Sequence, residues 1–218
     1  MSSETIDPIE DGSAPGAGFL LVISGASGSG KSTVCRRLME STTRYELSVS
    51  VTTRPPRGRE KDGVEYTFTS EDSFQSMVEA GDLLEHAGVF GKRYGTPRRN
   101  LESAAARGKV LLLDIDVQGG TILHEQDLPG VWVWIEAPSK EELARRLRGR
   151  RTESDAQIAR RLARADEEAA MARRCYDHFI INDSLEQAVR SIDALVESAL
   201  AGAGDRTRLG DHQEKQKR

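Results

Sequence analysis

The sequence contains few cysteines and few aromatic residues. Its 218 residues include two cysteines, Cys35 and Cys175, and only 5% of the chain is aromatic. Two cysteines that form no C-x-x-C motif are too few for a disulfide scaffold and do not indicate a metal site. We therefore expect two reduced thiols that pack as small apolar side chains. The core must then consist mainly of Leu, Val, Ile and Ala.

The chain also lacks a strong charge of either sign and any targeting segment. It has 35 acidic and 31 basic residues, for a net charge of −4, which argues against nucleic-acid or membrane binding through the overall field. No apolar run approaches the roughly 20 residues that span a bilayer, and the acidic first residues do not resemble a signal peptide. We expect a cytoplasmic protein, a monomer or small homo-oligomer, with neither nucleic acid nor a membrane as partner.

Strand and helix patterns alternate through most of the chain. Apolar runs at 19–24, 109–116, 131–137 and 178–182 predict buried strands, and residues with helical spacing lie between them. This alternation predicts an α/β fold in which a parallel sheet is flanked by helices. A further strand is predicted at 46–53, and β-ribbon patterns follow it.

We divide the chain into two tails and one domain. Residues 1–17 and 203–218 are rich in polar residues and glycine, and we expect both to be disordered because they cannot bury enough apolar surface. Residues 18–202 form the domain. Its core comprises 18–46, 98–140 and 174–202, with a ribbon-rich insertion at about 47–97 and a helical segment at about 141–173.

The stretch GASGSGKS, residues 25–32, lies between a predicted strand and an amphipathic helix. It satisfies G-x-x-x-x-G-K-[ST], the P-loop pattern that holds nucleotide phosphates. Its glycines let backbone N–H groups turn toward an anion, and the helix N-terminus adds its dipole. A Gly/Ser-rich turn that matches by chance is the alternative, but the strand and helix favour a polyphosphate site. Its residues are Gly25, Ala26, Ser27, Gly28, Ser29, Gly30, Lys31, Ser32 and Thr33.

Within this loop we assign two roles. Lys31 is expected to reach the β- and γ-phosphates of the nucleotide, and the Ser32 hydroxyl is expected to bind Mg²⁺. Asp114 ends the apolar run VLLL, the position of a Walker-B-type acid, and is expected to organise Mg²⁺ beside Ser32.

A second cluster of interest is the turn TTRPPRGRE. Arg54 and Arg57 flank two prolines that stiffen the turn, and planar guanidinium groups pair bidentately with phosphate oxygens. Tyr66 and Tyr94 on the neighbouring ribbon each carry a hydroxyl. The alternatives are a solvated basic turn and two tyrosines that pack in the core.

Seven motifs in this order and spacing resemble those of guanylate kinases. They are SGASGSGKST, SVSVTTRPPR, EYTF, LLEHAGVFGKRYGT, LLLDIDVQG, RLRGRRTES and IIND, and they cover residues from about 19 to 200. The resemblance implies a P-loop NTPase fold in which the insertion binds GMP and the helical segment is a lid. It also implies transfer of the γ-phosphoryl group of ATP to GMP or dGMP with Mg²⁺.

The resemblance further implies the contacts to GMP. The phosphate would be held by Arg54, Arg57, Tyr66 and Tyr94, and the base pocket would be lined by Ser50, Glu85, Thr96 and Asp116. A carboxylate such as Glu85 can accept from guanine N1–H and N2–H₂ together, whereas adenine offers no such donor pair. The division of roles between Asp114 and Asp116 stays open, since it could be shared or reversed.

The resemblance assigns lid and adenine contacts as well. Arg150 and Arg161 match arginines that close over the ATP phosphates and, with Lys31 and Arg54, would carry catalysis. Their neighbours Arg146, Arg148, Arg151 and Arg160 leave the individual choice open. Asn182 matches a position near the adenine of ATP, and the alternative for it is a turn residue at a strand end.

Two rival functions remain. A kinase for another phosphorylated acceptor, such as a ribose bisphosphate, would not need Ser50, Glu85 and Asp116 together. A catalytically inactive module that binds protein ligands would typically lack the P-loop lysine, which this chain keeps as Lys31.

Overall fold

The structure is a computed structural model and describes residues 18–89, 91–149 and 155–215, with only the backbone described for 203–215. The predicted N-terminal tail lies outside these residues. The strands are β1 (Phe19–Gly25), β2 (Tyr45–Leu47), β3 (Val51–Thr52), β4 (Thr67–Phe68), β5 (Leu83–Val89), β6 (Lys92–Pro97), β7 (Val110–Asp114), β8 (Gly130–Glu136) and β9 (His178–Ile181). The helices are α1 (Lys31–Ser41), α2 (Glu71–Glu79), α3 (Arg98–Ala106), α4 (Val117–His124), α5 (Lys140–Arg148), α6 (Asp155–Ala172) and α7 (Leu185–Lys215).

A central sheet of parallel strands forms the core, in the order β2-β7-β1-β8-β9. Alternate side chains of β1 enter opposite layers: Leu20 and Val22 belong to one buried cluster, and Leu21 and Ile23 to the other. Helices cover both faces, so the strands read as continuous apolar runs. The predicted α/β class with a parallel sheet flanked by helices is confirmed.

A second sheet, in the order β4-β3-β6-β5, lies within residues 51–97. It is mixed, because β3 pairs parallel with β4 and antiparallel with β6. The single strand predicted at 46–53 is wrong, since β2 joins the central sheet and β3 joins this second sheet. The amide of Ser48 still donates to Leu112 of the central sheet, and the Asn100 side chain then holds Ser48 and the carbonyl of Val49 where the chain crosses over.

Helix α4 was not predicted from the sequence, because two glycines in its first turns hide it. Asp116 caps the helix by accepting from the amide of Gly119 at 2.9 Å. A Cβ at Gly119 would lie 2.6 Å from Glu85 Oε2, and one at Gly120 would lie 1.7 Å from the Tyr176 hydroxyl. The glycines are therefore there for close packing, which overrides their poor helix propensity.

Helix α7 extends further than the sequence predicts. Its backbone is helical to Lys215, whereas the composition of 203–218 predicts a disordered tail. The helix begins in a packed segment in which Ile192 and Val196 are buried, and adding residues to an existing helix is much easier than nucleating one. Elongation from this anchored part accounts for the difference.

Both cysteines are unpaired and buried; the sequence left open whether these thiols lie in the core or at the surface. Among the described residues, no helix is long and apolar enough to cross a membrane.

Gly120→Ala should destabilise the protein, because the added Cβ would collide with Tyr176, whose hydroxyl donates to Ser24 at 2.6 Å and whose ring packs on Trp134. We expect a loss of about 2 kcal/mol in the free energy of unfolding, measured by denaturant titration. The control is Gly202→Ala, a helical glycine with open space around it, which should stabilise by up to about 1 kcal/mol. Equal stabilisation by both substitutions would contradict the packing described.

Candidate active site

The loop between β1 and α1 is shaped by close contacts around Gly30. This residue has a φ of 95° and directly precedes α1. A Cβ there would lie 2.2 Å from Asn182 Nδ2, so both the backbone conformation and the available space require glycine. The amide of Ser29 donates to the carbonyl of Ala26 at 3.0 Å, which closes a tight turn. The loop therefore leads into a helix N-terminus, where an anion is favoured.

Lys31, Ser32 and Asp114 meet at the carboxyl ends of two neighbouring strands. In the register of β1 and β7, Ile23 lies opposite Asp114. The Lys31 ammonium forms an ion pair with Asp114 Oδ1, and the Ser32 hydroxyl donates to Asp114 Oδ2 at 2.9 Å. Burial alone would lower the pKa of Lys31, but the Asp114 carboxylate outweighs it and raises the pKa. Lys31 is therefore held as a cation.

The Ser32 and Asp114 pair also fits a magnesium ion. A hydroxyl and a carboxylate are hard oxygen donors, and Mg²⁺ is usually held by one or two such groups together with substrate phosphates and water. In the described part of the chain, no group of three or more His, Cys, Asp or Glu could hold a metal by itself. This donor set suits an ion that arrives with a nucleotide.

The residues expected to hold the GMP phosphate gather around Arg54. Its guanidinium carbon lies 4.9 Å from the centre of the Tyr66 ring, and the Tyr66 and Tyr94 rings contact edge to face at 5.9 Å. Glu60 pairs with Arg54 and, together with a contribution from Tyr94, raises the pKa of the guanidinium. Arg57 lies on the same turn and is exposed. The structure thus brings Arg54, Tyr66 and Tyr94 together.

Tyr66 connects this group to the loop lysine. Its pKa is raised by burial and by the negative charge of Asp114, while the positive charge of Lys31 opposes the shift. Tyr66 therefore lies within electrostatic reach of Lys31 and Asp114 as well as against Arg54. Tyr66 thus links the two groups of phosphate-binding candidates electrostatically.

The base-pocket candidates form a row across three strands. Glu85 on β5 lies opposite Thr96 on β6, and the Thr96 hydroxyl donates to Glu85 Oε1 at 2.6 Å. Val51 pairs with Gly95, so continuing that register places Ser50 opposite Thr96. Both Glu85 and Thr96 are buried. Gly119, at the N-terminus of α4, lies directly against Glu85.

Glu85, which is buried, and Asp116, which is half-buried, thus share this pocket with few hydrogen-bond donors. Burial raises the pKa of Glu85 to about 7; the charge of Asp116 adds to the shift, and the Thr96 hydrogen bonds oppose it. Asp116 Oδ1 accepts from Gly119, but its buried Oδ2 has no hydrogen-bond partner within the described structure. Such a pocket calls for a ligand with several N–H donors.

Two arginines of α5 and α6 reach the loop, and one of them is among the neighbours between which the sequence does not choose. Arg161 donates to the Ser27 hydroxyl at 2.8 Å, and its contact with the ATP phosphates stays a prediction. Arg146 on α5 donates to the carbonyls of Ser29 at 3.2 Å and Asn182 at 3.0 Å. Nothing in its sequence distinguishes Arg146 from the arginines around it. Arg150 lies outside the described residues.

Asn182 lies beneath the loop. Its side chain is buried, and Nδ2 donates to the carbonyl of Ser29 at 2.9 Å. This hydrogen bond supports the loop backbone, and a contact between Asn182 and adenine stays a prediction.

Comparisons with known proteins agree with this geometry. Residues 18–199 match the family model described as guanylate kinase. The chain is similar to the guanylate kinase of Myxococcus xanthus, with 42% identity over 82% of this chain and 86% of the relative. It is also similar to that of Sphingopyxis alaskensis, with 46% identity over 82% of this chain and 81% of the relative. A crystal structure of guanylate kinase from Anaplasma phagocytophilum superposes with a TM-score of 0.67 and 35% identity, covering 84% of this chain and 86% of that chain.

Glu85→Gln should make the free energy of unfolding less dependent on pH. A folded-state pKa of about 7 lies above the usual carboxyl value, so the folded wild type loses stability as pH rises from about 4 to about 7. We expect the variant to be more stable than wild type by about 3 kcal/mol near pH 8 and similar to it near pH 4. Denaturant titrations at the two pH values measure this. Glu102→Gln, at an exposed position, is the control, and an equal effect of both would refute the assignment.

Proposed function

The chain belongs to the guanylate kinase family, and from this premise we propose how its residues share the reaction. The chain is a nucleoside monophosphate kinase that transfers the γ-phosphoryl group of ATP to GMP, which gives ADP and GDP. The observation that carries the proposed site is the joint pairing of the Lys31 ammonium and the Ser32 hydroxyl with the Asp114 carboxylate, beside the N-terminus of α1.

At the donor side, the amides of the loop and the Lys31 ammonium would hold the β- and γ-phosphates of ATP. The ion pair between Lys31 and Asp114 keeps the ammonium near the path of transfer. Ser32 and Asp114 would hold Mg²⁺, which when bound neutralises charge on the β- and γ-oxygens. We assign Asp114, which lies at the end of β7 and contacts Lys31 and Ser32, to the metal. We assign Asp116 to GMP.

At the acceptor side, Arg54, Arg57, Tyr66 and Tyr94 would hold the GMP phosphate. Its oxygen is already an anion at neutral pH, so the transfer needs no strong general base. The contribution of these residues is to position the two phosphates in line and to balance their charge. The arginine near two hydroxyls suits a phosphate dianion.

Selection of guanine would come from Glu85, Asp116, Thr96 and Ser50. Guanine N1–H and N2–H₂ would offer donors to a pair of carboxylates in which Asp116 Oδ2 has no partner within the described structure, and these donors would favour the ionised form of Glu85. Adenine offers no such pair of donors, which would cost binding energy in this pocket. dGMP carries the same base and is expected to be a substrate as well.

The lid would complete the donor site. Arg161 and Arg150 are proposed to neutralise charge on the phosphoryl group in transfer, and Asn182 to lie near adenine. Arg146 joins this set, because it contacts Ser29 and Asn182 together. Closure of the lid would exclude water that otherwise accepts the phosphoryl group. A cytoplasmic location and a monomer or small homo-oligomer stay predictions.

Glu85→Gln should relax the choice of base. One carboxamide oxygen cannot accept from both guanine groups as a carboxylate does, so we expect the ratio of kcat/KM for GMP over AMP to fall about hundredfold. Steady-state kinetics with GMP, AMP, CMP and UMP measure this, with Glu102→Gln as control. Equal use of GMP and AMP by the wild type would refute the base pocket.

Lys31→Ala should remove transfer but spare GMP binding. Loss of the ammonium that neutralises phosphate charge is expected to lower kcat about a thousandfold, while the Kd for GMP, measured by calorimetry, changes little. Lys140→Ala, which removes an exposed lysine paired with Asp166, is the control and should keep its kcat. Full activity of Lys31→Ala would overturn the role of the loop.

A further inference from the structure

Glu60 makes the closest contacts to the guanidinium of Arg54, and the motifs of the sequence assign it no role. Glu60 Oε2 accepts from Arg54 Nη1 at 2.7 Å, and Oε1 accepts from Nη2 at 2.8 Å. This is the parallel two-bond geometry in which arginine and a carboxylate pair most strongly. Arg54 is buried, so its side chain has little freedom to leave the pair.

The same carboxylate also fixes the backbone at Arg57. Glu60 Oε2 accepts from the amide of Arg57 at 2.7 Å, and the amide of Glu60 donates to the carbonyl of Arg57 at 3.1 Å. One side chain thus ties together the guanidinium of one phosphate-binding arginine and the main chain of the other. The hydrogen bonds from Arg54, which contribute most, and from the Arg57 amide lower the pKa of Glu60 to about 2. The Glu60 carboxylate is therefore an anion at neutral pH.

An anion on Arg54 could compete with a phosphate or could orient the arginine for it, and the hydrogen-bond donors distinguish the two. A guanidinium has five N–H groups. One N–H of Nη1 and one of Nη2 donate to the Glu60 carboxylate. The second N–H of Nη1 donates to the carbonyl of Pro55 at 2.8 Å. The other two, one on Nη2 and one on Nε, lie along the same edge and form a second fork; the Tyr94 side chain, itself a candidate to hold the phosphate, also contributes a hydrogen bond to this guanidinium. Arg54 can therefore hold Glu60 and a phosphate together.

We propose that Glu60 is a positioning residue for GMP, which holds Arg54 by one edge so that the other edge binds the phosphate. This rests on the proposed role of Arg54 in phosphate binding. The Tyr66 ring, 4.9 Å from the guanidinium carbon, fixes the plane of the group, and Glu60 fixes its rotation within that plane. Without Glu60, binding GMP would require Arg54 to be ordered at the same time.

The test compares Glu60→Gln with Glu65→Gln in the full-length chain. Glu65 lies on the same loop and accepts from the amide of Lys61 at 2.7 Å, so its substitution removes a nearby charge without touching Arg54. We expect Glu60→Gln to raise the KM for GMP about tenfold with kcat nearly unchanged, since a charge-assisted pair is lost. Glu65→Gln should leave both constants near wild type.

Binding of guanosine and GMP, measured by calorimetry, separates positioning from loss of structure. Glu60→Gln should weaken GMP but not guanosine, which has no phosphate. Equal weakening of both would overturn the proposal, because it would mean that the loop is disordered. An unchanged or tighter Kd for GMP would also overturn it, the tighter value indicating competition.

A double variant distinguishes failure of this inference from failure of the site. In an Arg54→Ala background, Glu60→Gln should cause no further rise in the KM for GMP, because Glu60 acts through Arg54. If the two losses multiply, the inference fails and the role of Arg54 stands. If Arg54→Ala leaves the KM unchanged, the proposed role of Arg54 fails first.

Discussion

The placement of Lys31 against Asp114 is the interaction on which the rest of the site depends. A half-buried ammonium and carboxylate satisfy each other at the carboxyl ends of two adjacent parallel strands. An unpaired charge of either kind at this depth would be costly. In the proposed site, Lys31 could exchange Asp114 for a phosphate, which is also an anion. Asp114 could exchange Lys31 for a metal ion, which is also a cation. In the proposed function, the protein would thus keep a polyphosphate site ready without an uncompensated charge inside it.

The same principle holds on the acceptor side, where Arg54 is paired with Glu60 and stacked on Tyr66. There the internal partner leaves one edge of the guanidinium for a ligand. The base pocket differs, because Glu85 and Asp116 are two acids with few donors. In the proposed site, the phosphates would bind to cations whose charge is already balanced, whereas the base would bind to acceptors that have few donors. This contrast explains how one cleft could combine strong charge neutralisation with selection of a base.

The insertion and the core are joined at a few points that carry function. Helix α4 of the core places Gly119 against Glu85, and Gln126 Nε2 donates to the carbonyl of Leu84 at 2.6 Å. At the other side, Asn100 holds the chain where it leaves the central sheet. These contacts fix the second sheet, with the proposed acceptor pocket, relative to the core. Arg146 and Arg161 contact the loop before Lys31 from α5 and α6.

The sequence by itself determined the parts that are local. Each of three features is recognised from a short continuous stretch, because its chemistry depends on neighbours within a few residues. They are the P-loop pattern, the acid at the end of β7 and the stiff turn at Arg54. The tertiary structure decided the rest, since it depends on residues distant along the chain. Only packing shows that 46–53 divides between two sheets, that the glycines of α4 make room for Glu85 and Tyr176, and that Arg146 alone among the arginines near it contacts both Ser29 and Asn182 in the described structure. Glu60 is an intermediate case: it is only six residues from Arg54, yet its role follows from which edge of the guanidinium it occupies.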